Sequence, residues 1–430
     1  MIASGAVLRL LVALPVPIQA RTQPAMAIEG VTIVSLDSGP LLFDHTVLVL
    51  NGRIARVGPR QTVAVPAGAT LIDGQGKYLM PGLADMHAHI TARDFPLFLA
   101  NGVTTVREMN GSPQHLAWRD SVRQGRLPGP SLVVASPLLA GVPQRYRHQL
   151  LTTPVEAVAL VRSAQGLGYD AIKVYDGLSV ETYQALAAEA RRAGLPLTGH
   201  VPDAVGLVGV VQQGQRSIEH TQEILKRLDG HPPDSAAIVT AVGRLVGHGV
   251  WVTPTLAVFE RLSLAGSAEV QSRFDRPEMA LVDSATFAWW LSFRRPGAGA
   301  ASPRAQQLAD AHRLVVRELA RRGVPILVGT DTPNPFMVPG FSLHDELEAL
   351  TGAGWSRVSV LRAATRGAAE FLGRSGEFGS IAPGLRADLV LLDGDPLQDL
   401  SLLRRPAGVV VGGRWLARDT LDRMLEAARR

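Results

Sequence analysis

The sequence predicts an α/β fold: a (β/α)8 TIM barrel with a small β-sandwich domain built from both chain ends. Three observations predict it. Short apolar runs alternate with helical stretches about eight times through the middle of the chain. Two blocks rich in β-branched residues, one near each end, bracket that middle. Histidines, a lysine and an aspartate recur at the ends of the apolar runs, the level at which a barrel carries its chemistry. With 430 residues, the chain is long enough for one large domain and a small one, and 46% hydrophobic residues is an ordinary globular share. A doubly wound open sheet is the alternative architecture.

Residues 1–27 read as a signal peptide. Arg9 precedes an apolar run over 10–18 that Pro15 and Pro17 interrupt, and Ala25 and Ala27 offer an Ala-x-Ala cleavage point. The run is too short to span a bilayer. The expected location is periplasmic or secreted, with the cytoplasm as the alternative.

Residues 28–80 and 375–418 are expected to form the small β domain. In the first block, strands at 31–34, 46–50 and 53–57 include a pair joined by Asn51-Gly52, a strong hairpin signal. In the second, 387–392 and 409–411 precede Gly412-Gly413, which reads as another hairpin turn.

Residues 81–374 are expected to form the barrel. Its strands fall at 83–89, 103–108, 131–136, 171–176, 196–201, 216–220, 250–255 and 325–331. Helices fall at 153–167, 180–193, 235–247 and 305–322, with 343–350 and 356–372 closing the unit. Pro154 suits a first helical turn. An insertion at 257–300 concentrates Phe259, Phe274, Phe287, Trp289, Trp290 and Phe293. It reads either as a substrate-covering lid or as a helical excursion that buries its own aromatics. Residues 419–430 are left as a C-terminal helix or tail.

Composition narrows the chemistry. The net charge is +5, but the cations are scattered and no basic stripe points to nucleic acid. The expected partner is a small-molecule substrate, with no nucleic acid, no membrane in the mature form, and a homo-oligomer left open. Cysteine is absent, so any metal must sit on histidine, carboxylate or a modified lysine. Only three lysines occur, Lys77, Lys173 and Lys226.

Residues i and i+2 of a strand share a face, so His87 and His89 project together, as two ligands of one metal ion would. Strand ends also present His200, Glu219-His220 and Asp331. A single histidine in such a place is commonly an ordinary hydrogen-bonding group; the recurrence at one level of one barrel is what argues for a site. Lys173 lies within an apolar strand, where a buried ammonium is costly unless paired or neutralised. Alternation puts Lys173 and Tyr175 on the inward face. A lysine of lowered pKa can take up carbon dioxide as a carbamate that bridges two ions; the alternative is an ion pair with Asp331 or Glu219. Glu219 is expected to point away from the site by strand alternation and to play a structural part.

At this point the chain resembles the amidohydrolase superfamily, in its imidazolonepropionase-like and prolidase-like branch. The resemblance spans about 30 to 416. It rests on Pro81-Gly82-Leu83-x-Asp85-x-His87-x-His89, Gly102-Val103-Thr104-Thr105-Val106-Arg107, Ile172-Lys173, Gly199-His200, Ile218-Glu219-His220, Gly329-Thr330-Asp331-Thr332 and Gly384-x-x-Ala387-Asp388-Leu389. It implies that His87, His89 and Asp331 hold one divalent ion and that His200 and His220 hold a second. Lys173, carboxylated, would bridge the two. Imidazolonepropionase itself works with one metal and lacks the bridging lysine, so Lys173 draws the chain toward the two-metal, peptidase-like members. Those often keep a Gly-Gly-His stretch after strand 3. Here the region reads Leu139 through His148 without it, a departure that bears on the substrate rather than on the metals.

The expected function is therefore binuclear hydrolysis of an amide bond, in a dipeptide or an N-acyl amino acid, by a metal-activated hydroxide. Zinc is the expected metal. Asp331 and Lys173 are the catalytic candidates, with Asp331 moving the proton. Arg145, Tyr146, Arg147 and His148, at the mouth of strand 3, are candidates for holding a substrate carboxylate, with Tyr175 adding a hydroxyl. Two alternatives are the same scaffold acting on a lactone, carbamate or phosphoester, and a metal-free interaction scaffold.

Overall fold

The structure, a computed structural model, describes residues 24–36, 39–230 and 233–429. Most of the expected signal peptide lies outside the described residues. Its last two positions, Met26 and Ala27, are buried in the first strand.

Both chain ends build one eight-stranded sheet. Its strands are β1 (Met26–Ile33), β2 (Leu42–Leu50), β3 (Arg53–Pro59), β4 (Thr70–Asp73) and β5 (Tyr78–Pro81) from the first block. Asn51 and Gly52 turn β2 into β3 with φ of 50° and 78°, values that suit an Asn-Gly hairpin. From the far end come β15 (Leu389–Leu392), β16 (Gly408–Val411) and β17 (Arg414–Ala417), the last two joined at Gly412-Gly413. The ends are stitched where β5 pairs antiparallel with β15. Apolar residues of both blocks, among them Ile28, Val47, Leu79, Leu389 and Val410, share one buried cluster.

Between the two blocks, among the described residues, run nine short strands: β6 (Leu83–Ala88), β7 (Val103–Glu108), β8 (Ser131–Val134), β9 (Leu138–Ala140), β10 (His148–Leu150), β11 (Ile172–Val174), β12 (Leu197–Gly199), β13 (Ser217–Glu219) and β14 (Trp251–Thr253). All their pairings are parallel, and helices separate most of them, the α/β arrangement that the alternation predicts. The regular ladders form two arcs, β6-β7-β8 and β10-β9-β11-β12-β13-β14. Single bridges connect them at Ala135–Ala171, and at Val252–Ile326 and Ala88–Thr332 on the other side.

The segment expected as an eighth strand, 325–331, is thus reduced to hydrogen bonds along an irregular path. Leu327 donates to Val252 and receives no regular partner strand, Met86 donates to Val328, and Asp331 donates to His87. The physical reasons are local. Pro325 has no N–H, a side chain on Gly329 would lie 2.7 Å from the His87 nitrogen, and Asp331 sits at φ 55°.

The insertion folds as helices that bury Trp290 with Met279, Leu281 and Val338. Much of its aromatic content packs in a core shared with Leu97, Val338 and Ala428 from outside the insertion. Among the described residues no helix is long and apolar enough to cross a membrane.

Candidate metal centre

The C-terminal ends of the parallel strands open into a cavity of about 560 Å³. His87, His89, Lys173, His200, His220 and Asp331 all line it, with Tyr175, Arg145, Tyr146 and Arg147. A somewhat larger cavity, about 630 Å³, lies between the helix Pro113–Arg123 and the β16–β17 hairpin; none of the histidines line it, so the chemistry belongs to the former.

Two departures from strand alternation assemble the site. Ser217 and Glu219 face the interior, so His220 would face outward if β13 continued. It sits instead at φ 75°, which turns its ring back inward. Asp331 is aimed by the same device at φ 55°. Such values are strained for residues with a side chain and persist where the surroundings hold them. Gly199, at φ 133°, has Val174 backbone atoms where a Cβ would sit, which lets β12 approach β11 closely.

Around Asp331 the donors converge. Its Oδ1 lies 3.4 Å from His87 Nε2 and 3.2 Å from His89 Nε2, and its Oδ2 lies 3.9 Å from His220 Nε2. The ligand atoms of His87, His89 and Asp331 all lie within 4.8 Å of one another, a spacing one divalent ion can span. The His220 ring centre is 4.6 Å from that of His87 and 5.1 Å from that of His200.

Three of the four rings face a partner behind them through their other nitrogen. His87 Nδ1 is 2.8 Å from Glu219 Oε2, His220 Nδ1 is 2.8 Å from Thr255 Oγ1, and His89 Nδ1 is 3.6 Å from Glu108 Oε1. Glu219 therefore does not point away from the site as alternation suggested. It points into the barrel interior directly beneath His87, where Arg107 Nη2 holds it at 2.9 and 3.0 Å. It backs the His87 ring and is itself held by Arg107. His200 Nδ1 faces Asp176 and Glu223 at 3.5 and 3.4 Å and has no hydrogen bond of its own. Those three residues could by spacing hold an ion too. Lys226 Nζ already lies 2.9 Å from the Asp176 oxygen and 2.6 Å from the Glu223 oxygen, so an ammonium fills the cationic role.

Lys173 is 1% exposed, and among the described residues no carboxylate lies within ion-pair distance of it. The ion pair of the alternative reading, to Asp331 or to Glu219, does not form. Burial lowers its ammonium to about 8, against the pull of Glu219 and Asp331. Burial and then Lys173 lower His87 to about 4, and burial takes His220 well below its usual value. Burial works against the charge on His89, yet Asp331 and Glu108 outweigh it and raise this histidine to about 9. Burial likewise pushes against the Asp331 charge, but His220 and His87 hold its carboxyl well below the usual range.

The His89 shift predicts a proton count. Without metal, His89 is protonated at neutral pH; that charge stabilises the fold fully below its ordinary 6.5, and the stabilisation fades as pH rises through about 9. A metal ion needs the neutral ring. Zinc binding at pH 7.5, measured by calorimetry in buffers of different ionisation enthalpy, should release roughly one proton from this histidine. Uptake without proton release would refute the assignment.

The loop expected to hold a substrate carboxylate is only partly free to do so. Arg147 is tied to the carbonyls of Asn110 and Gly111, and His148 lies outside the cavity lining, bonded to the Tyr146 carbonyl at 2.7 Å. Arg145 stacks over the Tyr146 ring at 4.6 Å and, among the described residues, has no carboxylate partner. Phe259, Leu262 and Trp289 of the insertion complete the wall. The Tyr175 ring lies 4.1 Å from that of His200. The residues that the sequence did not single out are Asp176, Glu223, Glu108 and Thr255. Only Glu223, one helical turn after His220, left a local signal.

A parallel α/β scaffold with histidines, an aspartate and a buried lysine converging at its strand ends defines a metal-dependent hydrolase. The sequence pattern of the amidohydrolase family matches residues 78–416, and the chain belongs to that family. It is an enzyme acting on carbon–nitrogen bonds. An imidazolonepropionase of Klebsiella pneumoniae subsp. pneumoniae is 27% identical over 379 residues, covering 83% of this chain and 87% of that protein. The solved structure of bottromycin amidohydrolase is 30% identical with a TM-score of 0.78, covering 95% of this chain and 92% of that one. A Xaa-Pro dipeptidase with bound methionine shares the fold, at 19% identity and a TM-score of 0.68 over 91% of this chain and 100% of that one.

Proposed function

We propose that the chain is a binuclear metal-dependent hydrolase that cleaves the amide bond of a dipeptide or an N-acyl amino acid. Its framework is read as a (β/α)8 barrel, the two arcs being sides of one ring. The observation that carries the proposal is Lys173, buried and without an anionic partner among the described residues, in a cavity with four histidines and Asp331. A carbamate on that lysine would give the site a second anion beside Asp331.

His87, His89 and Asp331 would hold one ion, His200 and His220 the other, and carboxylated Lys173 both. The donors fit: His87 and His220 each have Nδ1 hydrogen-bonded behind the ring and Nε2 turned toward Asp331, and a set of nitrogen and carboxylate donors without sulfur suits zinc. Bound there, two divalent ions supply an activated water and polarise the scissile carbonyl. The chain's own residues do the rest. Asp331, fixed among three histidines, accepts a proton from the attacking water and passes it to the leaving nitrogen. Arg145 binds the substrate carboxylate, and Phe259 and Trp289 close an apolar wall over the acyl group. The amide reading draws on bottromycin amidohydrolase as the named relative of highest identity given above.

The test is kinetic. Arg145→Ala should cost about 1.5–3 kcal/mol of transition-state binding on a substrate with a free carboxylate, the scale of a hydrogen bond to a charged group. The loss should nearly vanish on the amidated substrate. Arg147→Ala, which loosens the loop, should slow both alike. Turnover of lactones or carbamates alone, with none of N-acyl amino acids or dipeptides, would overturn the amide reading.

A further inference from the structure

Thr255 stands at the start of the helix Leu256–Ser263, where a threonine ordinarily caps by accepting a first-turn amide. Its side chain makes no such bond, and its backbone sits at φ 46°. The first-turn amides of Leu256 and Ala257 donate instead to Oε1 and Oε2 of Glu346, at 2.9 and 2.7 Å. Glu346 is fully buried on the neighbouring helix Phe341–Gly352. Burial raises its carboxyl to about 8, and the two amides oppose that rise. By taking over the cap, Glu346 leaves the Thr255 hydroxyl free for another task.

That hydroxyl lies 2.8 Å from the Pro254 carbonyl and 2.8 Å from His220 Nδ1. It carries one hydrogen. Directed at the carbonyl, which can only accept, the hydrogen makes one bond, and Oγ1 accepts a second from Nδ1–H. Directed at Nδ1, it makes one bond and forfeits the other. The first arrangement satisfies more buried groups and puts the ring proton on Nδ1. On the far side, His220 Nε2 and Asp331 Oδ2 are 3.9 Å apart, too long for a hydrogen bond. Two lone pairs then face each other across a gap that suits a cation.

We infer that Thr255 and Glu346 form a two-part brace that fixes the tautomer and aim of His220, with its Nε2 lone pair turned toward Asp331. Thr255 is the positioning residue, and Glu346 is the cap that frees it. The inference rests on His220 being a metal ligand, but its test uses no substrate, so failure of the amide reading would leave it standing.

Long-range proton–nitrogen NMR correlations on metal-free, histidine-labelled full chain, assigned with His220→Gln, should show His220 protonated at Nδ1. Thr255→Val keeps the shape and removes the acceptor. It should move His220 toward the Nε2-protonated form and weaken zinc binding, measured by chelator competition, about 10- to 100-fold. Thr255→Ser should restore both readouts. Glu346→Gln, which keeps one acceptor of two, should show the same tautomer shift to a smaller extent. An Nε2-protonated His220 in the unsubstituted chain overturns the inference even if Thr255→Val does not fold. So does a Thr255→Val chain with unchanged tautomer and zinc affinity.

Discussion

Replacing Lys173 by alanine should remove most activity without destabilising the chain. The lysine is buried and, among the described residues, faces no carboxylate at ion-pair distance, so its charge is a burden on the fold rather than a support. Burial brings its ammonium to about 8, which leaves an appreciable fraction of neutral amine near physiological pH. That amine can add to carbon dioxide, forming an N–C bond and releasing one proton, and the resulting carbamate is an anion with two oxygens. Alanine can do neither. The expected outcome is a fall in kcat/KM of at least about 10²- to 10³-fold, the scale on which removal of one electrostatic contact to a reacting centre is felt. Elemental analysis should show fewer than two ions per chain, while Tm stays level or rises. Bicarbonate should reactivate decarbonated wild-type protein and do nothing for the variant. Retention of two ions and of activity in Lys173→Ala would end the bridging proposal.

The reason Lys173 could be read from sequence also explains what could not. A lysine in a strand of isoleucine and valine contradicts its surroundings, and the contradiction is local. The His87-x-His89 spacing is local too, because alternation alone aims both rings. His220 and Asp331 were found by their place at strand ends, but their aim comes from φ of 75° and 55°, and nothing in a histidine or an aspartate announces a left-handed backbone. Glu219 shows the same limit: alternation sets it opposite His220, and the left-handed turn at His220 brings both side chains to the interior. The supports behind the histidines come from other elements. Thr255 is 35 residues from His220 and Glu108 is 19 from His89, and only the packed fold joins them. The joining of the two β-rich blocks into one small domain is legible from the sequence; the strand pair that joins them, β5 with β15, is seen only in the fold. Of the loop proposed to hold a substrate carboxylate, the sequence offers four residues by their place after strand 3, while the tethering of Arg147 to two carbonyls and the position of His148 depend on a chain path that the sequence does not show locally.

Glu219→Ala should produce the largest loss of stability. The carboxylate is fully buried and accepts from Arg107, from His87 Nδ1 and, at 2.7 Å, from Thr198 Oγ1. Burial opposes its charge, but Arg107 and His87 win and hold its pKa well below the ordinary 4.5. Its contribution is thus present above that ordinary value and lost as pH falls toward the depressed one. Removing it leaves Arg107, 1% exposed, as an unpaired buried cation. The cost of breaking a buried pair in this way is about 3–5 kcal/mol, read as a shift in denaturant midpoint or, if unfolding is irreversible, as a drop in Tm. The same substitution takes away the acceptor that keeps the His87 proton on Nδ1, so zinc affinity should fall about 10- to 100-fold. The two effects can be separated. Replacing both partners, Glu219→Leu with Arg107→Met, removes the stranded charge and should recover much of the stability, because apolar groups often substitute well for a buried ion pair. It cannot restore the hydrogen bond to His87, so metal affinity should stay low. Recovery of metal affinity in the double variant would mean that Glu219 serves only to balance Arg107, and that His87 finds its orientation without it.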